Sequence, residues 1–334
     1  MTKGLLQVTG TIDVTQFWPG KESDADTVKV MVEHDGFKFS PDGKPASLKV
    51  THVFDDAMVL GSSRELIPAV SKGKITVRLE HIDAPELHYM VPLKGTKNFR
   101  QYFGETATTK LHDLMASAGQ QLVHCEVRTA IDHPNQAFDT YGRLIGSIFI
   151  RLHGKEVNIN HWLVQNGWAF PAFYNLASKD EIKEVSKHAE QARKAKRGIW
   201  EHLSADVEHA DFSLVFRHGG PPNPPADIGP LVMPKLFRRE VLWHMSQVDG
   251  LFSGPFRDFL AKQKEDGWVK TIDFLQNPDI KPVSKNLSPL VNNQGMFELG
   301  PAELVFFEKD SVLVKAIDSW WAASATVKLI KGAA

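Results

Sequence analysis

The clearest strand signal in the chain runs from Ile75 to Pro85. Apolar residues occupy every second position at its start, so Arg78 is expected on the face opposite the apolar set. Pro85 ends the strand, because proline has no N–H to donate to a neighbouring strand. Two carboxylates, Asp83 and Glu86, lie where the strand ends. The pattern therefore indicates a mid-strand arginine whose side chain lies near carboxylates that bind the same ligand.

Similar patterns predict strands and helices on both sides of this segment. Further strands are expected at 4–18, 24–32, 122–130 and 144–152. Helical spacing of apolar residues predicts helices at 100–118, 157–166 and 178–197. The last helix has Ser178 at the N-cap and Glu181 at the capping-box position, and Gly198 follows its basic end.

The segment 34–74 is an insertion between two predicted strands. It contains two turn signals, at 34–36 and 41–43. Residues 47–54 and 57–60 then have the pattern of a β-hairpin. We therefore expect a turn at 34–36 and a separate hairpin before the strand that carries Arg78.

The strongest change of composition separates two parts of the chain. Residues 219–225 are glycine, proline and one asparagine, which favours a semi-rigid spacer. We expect a first domain at 1–205, a linker at 206–232 and a smaller, mostly helical domain at 233–334. Helices are predicted there at 235–247 and 255–264. The closing segment 311–329 carries the paired residues Trp320 and Trp321, which are interpreted as core with a partial interface role.

Composition and charge narrow the possible functions. The 334 residues contain 39 Lys and Arg against 40 Asp and Glu, so a nucleic-acid partner requires a local basic face. Cys125 is the only cysteine, which excludes an intrachain disulfide and favours a space-filling role in a strand. No signal peptide or membrane-spanning run is evident, so the expected location is the cytoplasm, without a membrane partner.

The charged residues near strand ends indicate chemistry on a phosphate. Arginines bind the oxygens of a phosphodiester in a bidentate way that lysine does not match. Carboxylates with a backbone carbonyl and waters form an oxygen-only site, which suits a hard cation rather than zinc. A further carboxylate, not bound to the cation, can take a proton from water.

Three short motifs in order resemble the staphylococcal nuclease (thermonuclease) family. They are Asp24-x-Asp26-Thr-Val, then Arg78-Leu-x-x-Ile-Asp83-Ala-Pro-Glu86, then Tyr141-Gly-Arg143-Leu. The similarity continues through Gly104-x-x-Ala107, Leu163-Val-x-x-Gly167-Trp-Ala169 and Gly198-Ile-Trp200. It covers about residues 20–203, apart from the insertion, and does not extend to 204–334.

The resemblance implies an α+β fold, an OB-like five-stranded β-barrel with packed helices. It also implies a Ca²⁺-dependent nuclease that acts on DNA, RNA or both and leaves 3′-phosphates. Carried over by position, Asp26 and Asp83 are the metal ligands with the Ala84 carbonyl. Glu86 is the general base, and Arg78 and Arg143 bind the phosphate.

Several alternatives remain at this point. Asp55 or Asp56 follows a strand-like run in the insertion and rivals Asp26 as second metal carboxylate. The aromatic residues expected against a nucleotide base are Tyr141 and Tyr174, although the pattern around Tyr174 is shifted from that of the family. Each motif alone also fits a plain turn or ion pair.

Other functions are open as well. The chain could be a catalytically silent OB-like module that binds nucleic acid or a protein, or the part after residue 232 could be the functional half.

Overall fold

A computed structural model describes residues 4–40, 48–49, 58–60, 66–68, 70–91, 97–131, 137–139, 141–206, 210–218 and 225–307. The strands are β1 Gly4–Asp13, β2 Thr27–Ser40, β3 Leu48–Lys49, β4 Met58–Leu60, β5 Leu66–Pro68, β6 Val70–Ser71, β7 Lys74–Leu79, β8 Ile82–Asp83, β9 Tyr89–Met90, β10 Asn98–Phe99, β11 Leu122–Ile131, β12 Leu144–Leu152, β13 Lys155–Asn158, β14 Phe170–Pro171, β15 Phe173–Tyr174, β16 Val215–Phe216, β17 Gly267–Lys270 and β18 Leu304–Phe307. The α-helices are α1 Gly104–Ala116, α2 Ile159–Gln165, α3 Lys179–Lys194, α4 Pro234–Val248, α5 Phe256–Lys262 and α6 Thr271–Gln276.

Five strands close into a barrel. β1 pairs with β2 and β11, β2 pairs with β7, and β11 pairs with β12, all antiparallel. A parallel pairing of β12 with β7 closes the circle. Alternate residues of each strand are buried inside it, as in β7, where Ile75, Val77 and Leu79 are buried and Arg78 is not fully buried. The OB-like barrel expected from the resemblance is therefore confirmed.

A buried asparagine holds the parallel seam of the barrel. Asn160, at the second position of α2, is 1% exposed. Its side-chain amide donates to the carbonyls of Glu80 and Gly146, and its oxygen accepts the Ile148 N–H. These bonds tie β12 to the end of β7, and they satisfy a polar group that would be costly to bury alone.

The turn predicted at 34–36 is wrong. β2 continues through these residues and pairs with β1 on both sides, and the register shifts between Val8 and Gly10 as at a β-bulge. A side chain at Gly36 would place its Cβ 2.6 Å from the carbonyl oxygen of Thr9, so only glycine fits. The sequence signal was therefore a bulge glycine and not a turn glycine.

The hairpin predicted from 47–54 and 57–60 is not tested, because residues 50–57 lie outside the described residues. The rival ligands Asp55 and Asp56 are among them. In the described parts of this segment, β3 pairs with β2, whereas β4 pairs with β5.

Most other boundaries agree with the prediction to within a few residues. α1 begins four residues later than predicted, and β13 occupies the start of the predicted helix at 157–166. β7 stops at Leu79, because the chain turns at His81, whose φ is 62°. The capping box of Ser178 and Glu181 forms at the start of α3 as predicted.

The C-terminal part of the chain packs directly on the barrel. β18 pairs in parallel with β15 and antiparallel with β17, and β16 pairs with β10. Val269, Phe274 and Val305 belong to the same buried core as the barrel strands. This part is mostly helical in its described residues, as expected. The closing segment 311–329, with Trp320 and Trp321, lies outside them.

Two further observations concern the sequence-based expectations. Cys125 is buried in β11, and burial raises the pKa of its thiol to about 12, so the thiol is a packing group. None of the helices in the described ranges has the length and apolar character that crossing a bilayer requires.

Candidate active site

Asp26 lies at the mouth of the barrel, one residue before β2, and connects three segments. Its carboxylate accepts the Ala84 N–H at 2.7 Å and pairs with the Arg78 guanidinium at 2.6 Å. Its backbone carbonyl accepts the Leu79 N–H at 2.9 Å. The side chain is buried, so these contacts fix one carboxylate oxygen where β7 ends.

Arg78 joins the two predicted metal carboxylates. Its guanidinium lies 2.6 Å from an oxygen of Asp26 and 2.6 Å from an oxygen of Asp83. Burial alone would lower the pKa of Arg78, but Asp26 and Asp83 outweigh it and raise that pKa. Arg78 is therefore a permanent positive charge on the outward face of β7, as the alternation predicted.

Glu86 follows the strand end and has an unusual protonation equilibrium. Its side chain is 14% exposed, and its backbone N–H donates to Gln101 at 3.0 Å. Burial raises the pKa of Glu86 to about 7, and the nearby carboxylates add to the rise. A carboxyl with this pKa is suited to exchange protons at neutral pH.

Asp24 adds a further acid at the same place. One of its oxygens accepts the Leu87 N–H at 3.2 Å. Burial raises the pKa of Asp24 and the charge of Asp26 adds to the rise, while His88 and Arg78 oppose it.

Arg143 reaches the site from the turn before β12. Asp139 accepts its backbone N–H at 2.9 Å and its Nε–H at 2.7 Å. One guanidinium nitrogen also points to the Thr27 hydroxyl, at 3.5 Å. The guanidinium lies 5.5 Å from the ring centre of Tyr141, which is 65% exposed. Asp139 thus orients Arg143 and leaves part of its guanidinium available to a ligand.

A third arginine enters the site from the C-terminal part. Arg238 on α4 bonds to Asp83 at 2.9 Å and also pairs with Glu86. Although burial raises the pKa of Asp83, Arg238 and Arg78 hold it below its usual range. Sequence reasoning missed Arg238. Its only local signal was the basic run of Lys235, Arg238 and Arg239 after the linker, which is ordinary for a helix.

One cavity of about 530 Å³ connects these groups. Its walls include all the predicted site residues, Asp26, Arg78, Asp83, Glu86, Tyr141, Arg143 and Tyr174, together with Arg238. Tyr174 is half-buried in β15, with the ammonium of Lys235 5.7 Å from its ring centre. The cavity is thus lined with guanidinium groups, carboxylates and aromatic rings, which together suit a phosphodiester with attached nucleosides.

The donor groups fit a hard cation. Among the described residues, four carboxylates (Asp24, Asp26, Asp83 and Glu86) line this cavity, but no three of them bring ligand atoms within 4.8 Å of one another. Arg78 and Arg238 pair with three of the four, Asp26, Asp83 and Glu86. The raised pKa values of Asp24 and Glu86 reflect burial and excess negative charge, which a divalent cation would relieve. Asp26 and Asp83 offer oxygen atoms only, as calcium requires.

Comparisons with known proteins agree with the fold. The model of the staphylococcal nuclease homologue family matches residues 76–202, and no family match falls on later residues. An uncharacterized protein of Methanocaldococcus jannaschii is 28% identical over 135 residues, which are 37% of this chain and 60% of that protein. The chain thus spans less than two thirds of that relative. Residues 76–202, less than half of the chain, are therefore similar to the staphylococcal nuclease homologue family.

Proposed function

We propose that the protein is a Ca²⁺-dependent nuclease that hydrolyses phosphodiester bonds of DNA, RNA or both. The observation that carries this proposal is the meeting of Arg78, Asp83, Glu86 and Arg143 in one cavity with Asp26. A pure binding module has no physical need for a mostly buried glutamate with a pKa of about 7 in a cavity that Arg78 and Arg143 also line.

Arg78 and Arg143 bind the scissile phosphate from two sides of the cavity. In-line attack adds negative charge to the equatorial oxygens of the phosphate, and fixed guanidiniums bind that charge more strongly as it grows. Because Asp139 holds the Nε of Arg143, the rest of that guanidinium is oriented before the substrate arrives. The two arginines therefore act mainly on the transition state.

Glu86 takes a proton from the attacking water. The hydroxide then forms a bond to phosphorus, the P–O5′ bond breaks, and the leaving oxygen takes up a proton, so that a 3′-phosphate remains. Asp26, Asp83 and the Ala84 carbonyl would hold the calcium ion. When bound, this ion neutralises charge on the phosphate and orients water.

Arg238 must leave Glu86 before this chemistry begins. A glutamate paired with an arginine is a weaker base, because the pairing stabilises its charged form. A bound cation would take over the carboxylate charge that Arg238 now neutralises, and the substrate phosphate offers Arg238 a new partner. Tyr141 and Tyr174 supply rings for nucleotide bases at the rim.

The pH dependence of cleavage follows from Glu86. Its deprotonated form is the base, so the rate should rise with pH and level off once Glu86 is ionised. The pKa of Glu86 is about 7 in the cation-free protein, and a bound cation would lower it. The facing charges are Arg238, which lowers this pKa, and Asp24, Asp26 and Asp83, which raise it. A pH–rate profile under single-turnover conditions measures this rise of the cleavage rate with pH. A flat rate between pH 5 and 8 would contradict the assignment.

Calcium and Arg143 provide the direct test of activity. Single-stranded DNA and RNA should be cut in Ca²⁺ but not in EGTA, with activity restored by added Ca²⁺. Arg143→Lys should lower the rate by about 10²-fold or more, because lysine cannot bind the phosphate in the same bidentate way. Arg128→Lys is a matched control, since Arg128 is an equally exposed barrel arginine paired with Glu126 and Glu156.

The second candidate function is a catalytically silent module that binds nucleic acid. The pairing of Arg238 with Glu86 favours it, since a glutamate held in this way is a weaker base. A filter-binding assay separates the two functions. Tight, salt-sensitive binding with no cleavage in Ca²⁺ would support the silent module and exclude the nuclease.

A further inference from the structure

Two packed helices bring metal-ligating side chains together outside the candidate active site. His161 lies on α2, and Glu184 and His188 lie on α3 with helical i, i+4 spacing. One ligand atom from each of the three lies within 4.8 Å of the others. The ring centres of His161 and His188 are 5.0 Å apart, and Nδ1 of His161 is 3.5 Å from the Glu184 carboxylate.

The local contacts leave a donor atom without a partner. Nδ1 of His188 is buried and has no hydrogen bond among the described residues. A buried ring nitrogen without a partner is costly, and a bound metal ion is one way to satisfy it. The Asn158 side chain caps α2 by accepting the His161 N–H at 3.2 Å, so the backbone that carries this histidine is fixed.

We propose that His161, Glu184 and His188 form a site for a divalent transition-metal ion, with Zn²⁺ as the best match. Two imidazoles and one carboxylate are the donor set of many zinc sites with an exchangeable fourth position. Ligand atoms around tetrahedral zinc lie roughly 3.3 Å apart, which small side-chain rotations reach from the present spacing. The Glu184 side chain is 59% exposed, so solvent can supply the fourth ligand.

This site differs in chemistry from the carboxylate set around Arg78. Calcium needs six to eight oxygen ligands, which two histidines and a glutamate cannot supply. Imidazole donors favour Zn²⁺, Cu²⁺ or Ni²⁺ instead.

A bound ion would link α2 to α3. Asn160 on α2 holds the barrel seam, and Glu181 on α3 lines the large cavity.

A neighbouring trio, Glu80, His81 and Glu181, is a weaker candidate. Its histidine lies 3.6–3.7 Å from the two carboxylates. Glu181, however, accepts the Ser178 N–H at 2.7 Å in the capping box of α3. Metal binding there would compete with this reciprocal bond of the capping box.

Cobalt binding provides the test. Tag-free full-length protein, stripped of metal, is titrated with Co²⁺ at pH 7.5, where free histidine is mostly neutral. We expect one Co²⁺ per chain with the visible absorption of a four-coordinate ion, displaced by Zn²⁺ but not by excess Ca²⁺. His188→Ala and Glu184→Gln should each weaken binding at least tenfold, since even the loss of an outer-shell partner costs about 10–100-fold.

The controls keep this test independent of folding and of nuclease activity. His124→Ala removes an exposed histidine that lies 3.3 Å from Glu33 but belongs to no three-ligand group among the described residues, and binding should be unchanged. Thermal melting of each metal-free variant checks the fold, and Glu184→Gln alters only an exposed helix side chain. Binding that persists in His188→Ala, or that is lost in His81→Ala and kept in His161→Ala, would overturn the proposal.

Discussion

Replacing Glu86 with glutamine is expected to slow phosphodiester cleavage by about 10²–10⁴-fold, the usual contribution of a general base. Glutamine keeps the shape of the side chain but cannot take a proton from water. The fold should survive. Because the pKa of Glu86 is about 7, the cation-free protein already tolerates the neutral form near neutral pH. Single-turnover cleavage of a labelled oligonucleotide measures the rate, and thermal melting measures the fold.

Glu126→Gln is the matched control for this change. Glu126 is also a half-buried barrel glutamate bonded to an arginine, with 2.6 Å between its carboxylate and Arg128. It does not line the large cavity. Its variant should cleave at the wild-type rate. If Glu86→Gln also retains that rate in Ca²⁺, another group must be the base and the mechanism proposed above is wrong.

Replacing Arg238 with alanine is expected to lower the free energy of unfolding by about 3 kcal/mol in calcium-free buffer, because two buried carboxylates lose their shared cation. The figure lies at the lower end of the usual range, since the Arg238 side chain is 26% exposed. Calcium should restore part of the lost stability, because the ion would bind Asp83, one of the two carboxylates, in the folded protein only. Denaturant unfolding with EGTA or with Ca²⁺ measures both effects.

The neighbouring arginine provides the control for Arg238. Arg239 pairs with the buried Asp266 through bonds of 2.7 and 2.8 Å and has a similarly small exposed fraction, 20%. Arg239→Ala should therefore be destabilised to a comparable degree, but calcium should not reverse the loss. If calcium restores the stability of both variants equally, or of neither, Arg238 does not neutralise the carboxylates that calcium binds.

The sequence predicted the position of several cavity-lining residues for physical reasons. Strand alternation placed Arg78 opposite the core, and that placement depends on local spacing only. The three carboxylates and Arg143 lie at element ends, where short motifs mark them. The assignments of Asp26 to the metal and of Glu86 to the water remain proposals.

The parts that sequence reasoning missed depend on distant contacts. Arg238 meets Glu86 across 152 positions of the chain, and no local pattern records such a contact. The glycine at 36 has the same local signature in a turn as in a bulge. Only the close approach of the Thr9 carbonyl on β1 to Gly36, which no local pattern records, distinguishes the two structures. The pairing of β15 with β18 likewise joins segments that no periodicity connects.

The parallel seam between β7 and β12 sets the spacing of Arg78 and Arg143, the two arginines proposed to bind the phosphate. Arg78 is paired in register with Ile145, two residues after Arg143, so a slip of one position would turn Arg143 to the other side of the sheet. Asn160 prevents that slip, although it touches neither arginine. The side-chain amide of Asn160, on a short helix, therefore fixes the distance between the two guanidinium groups that are proposed to bind the phosphate.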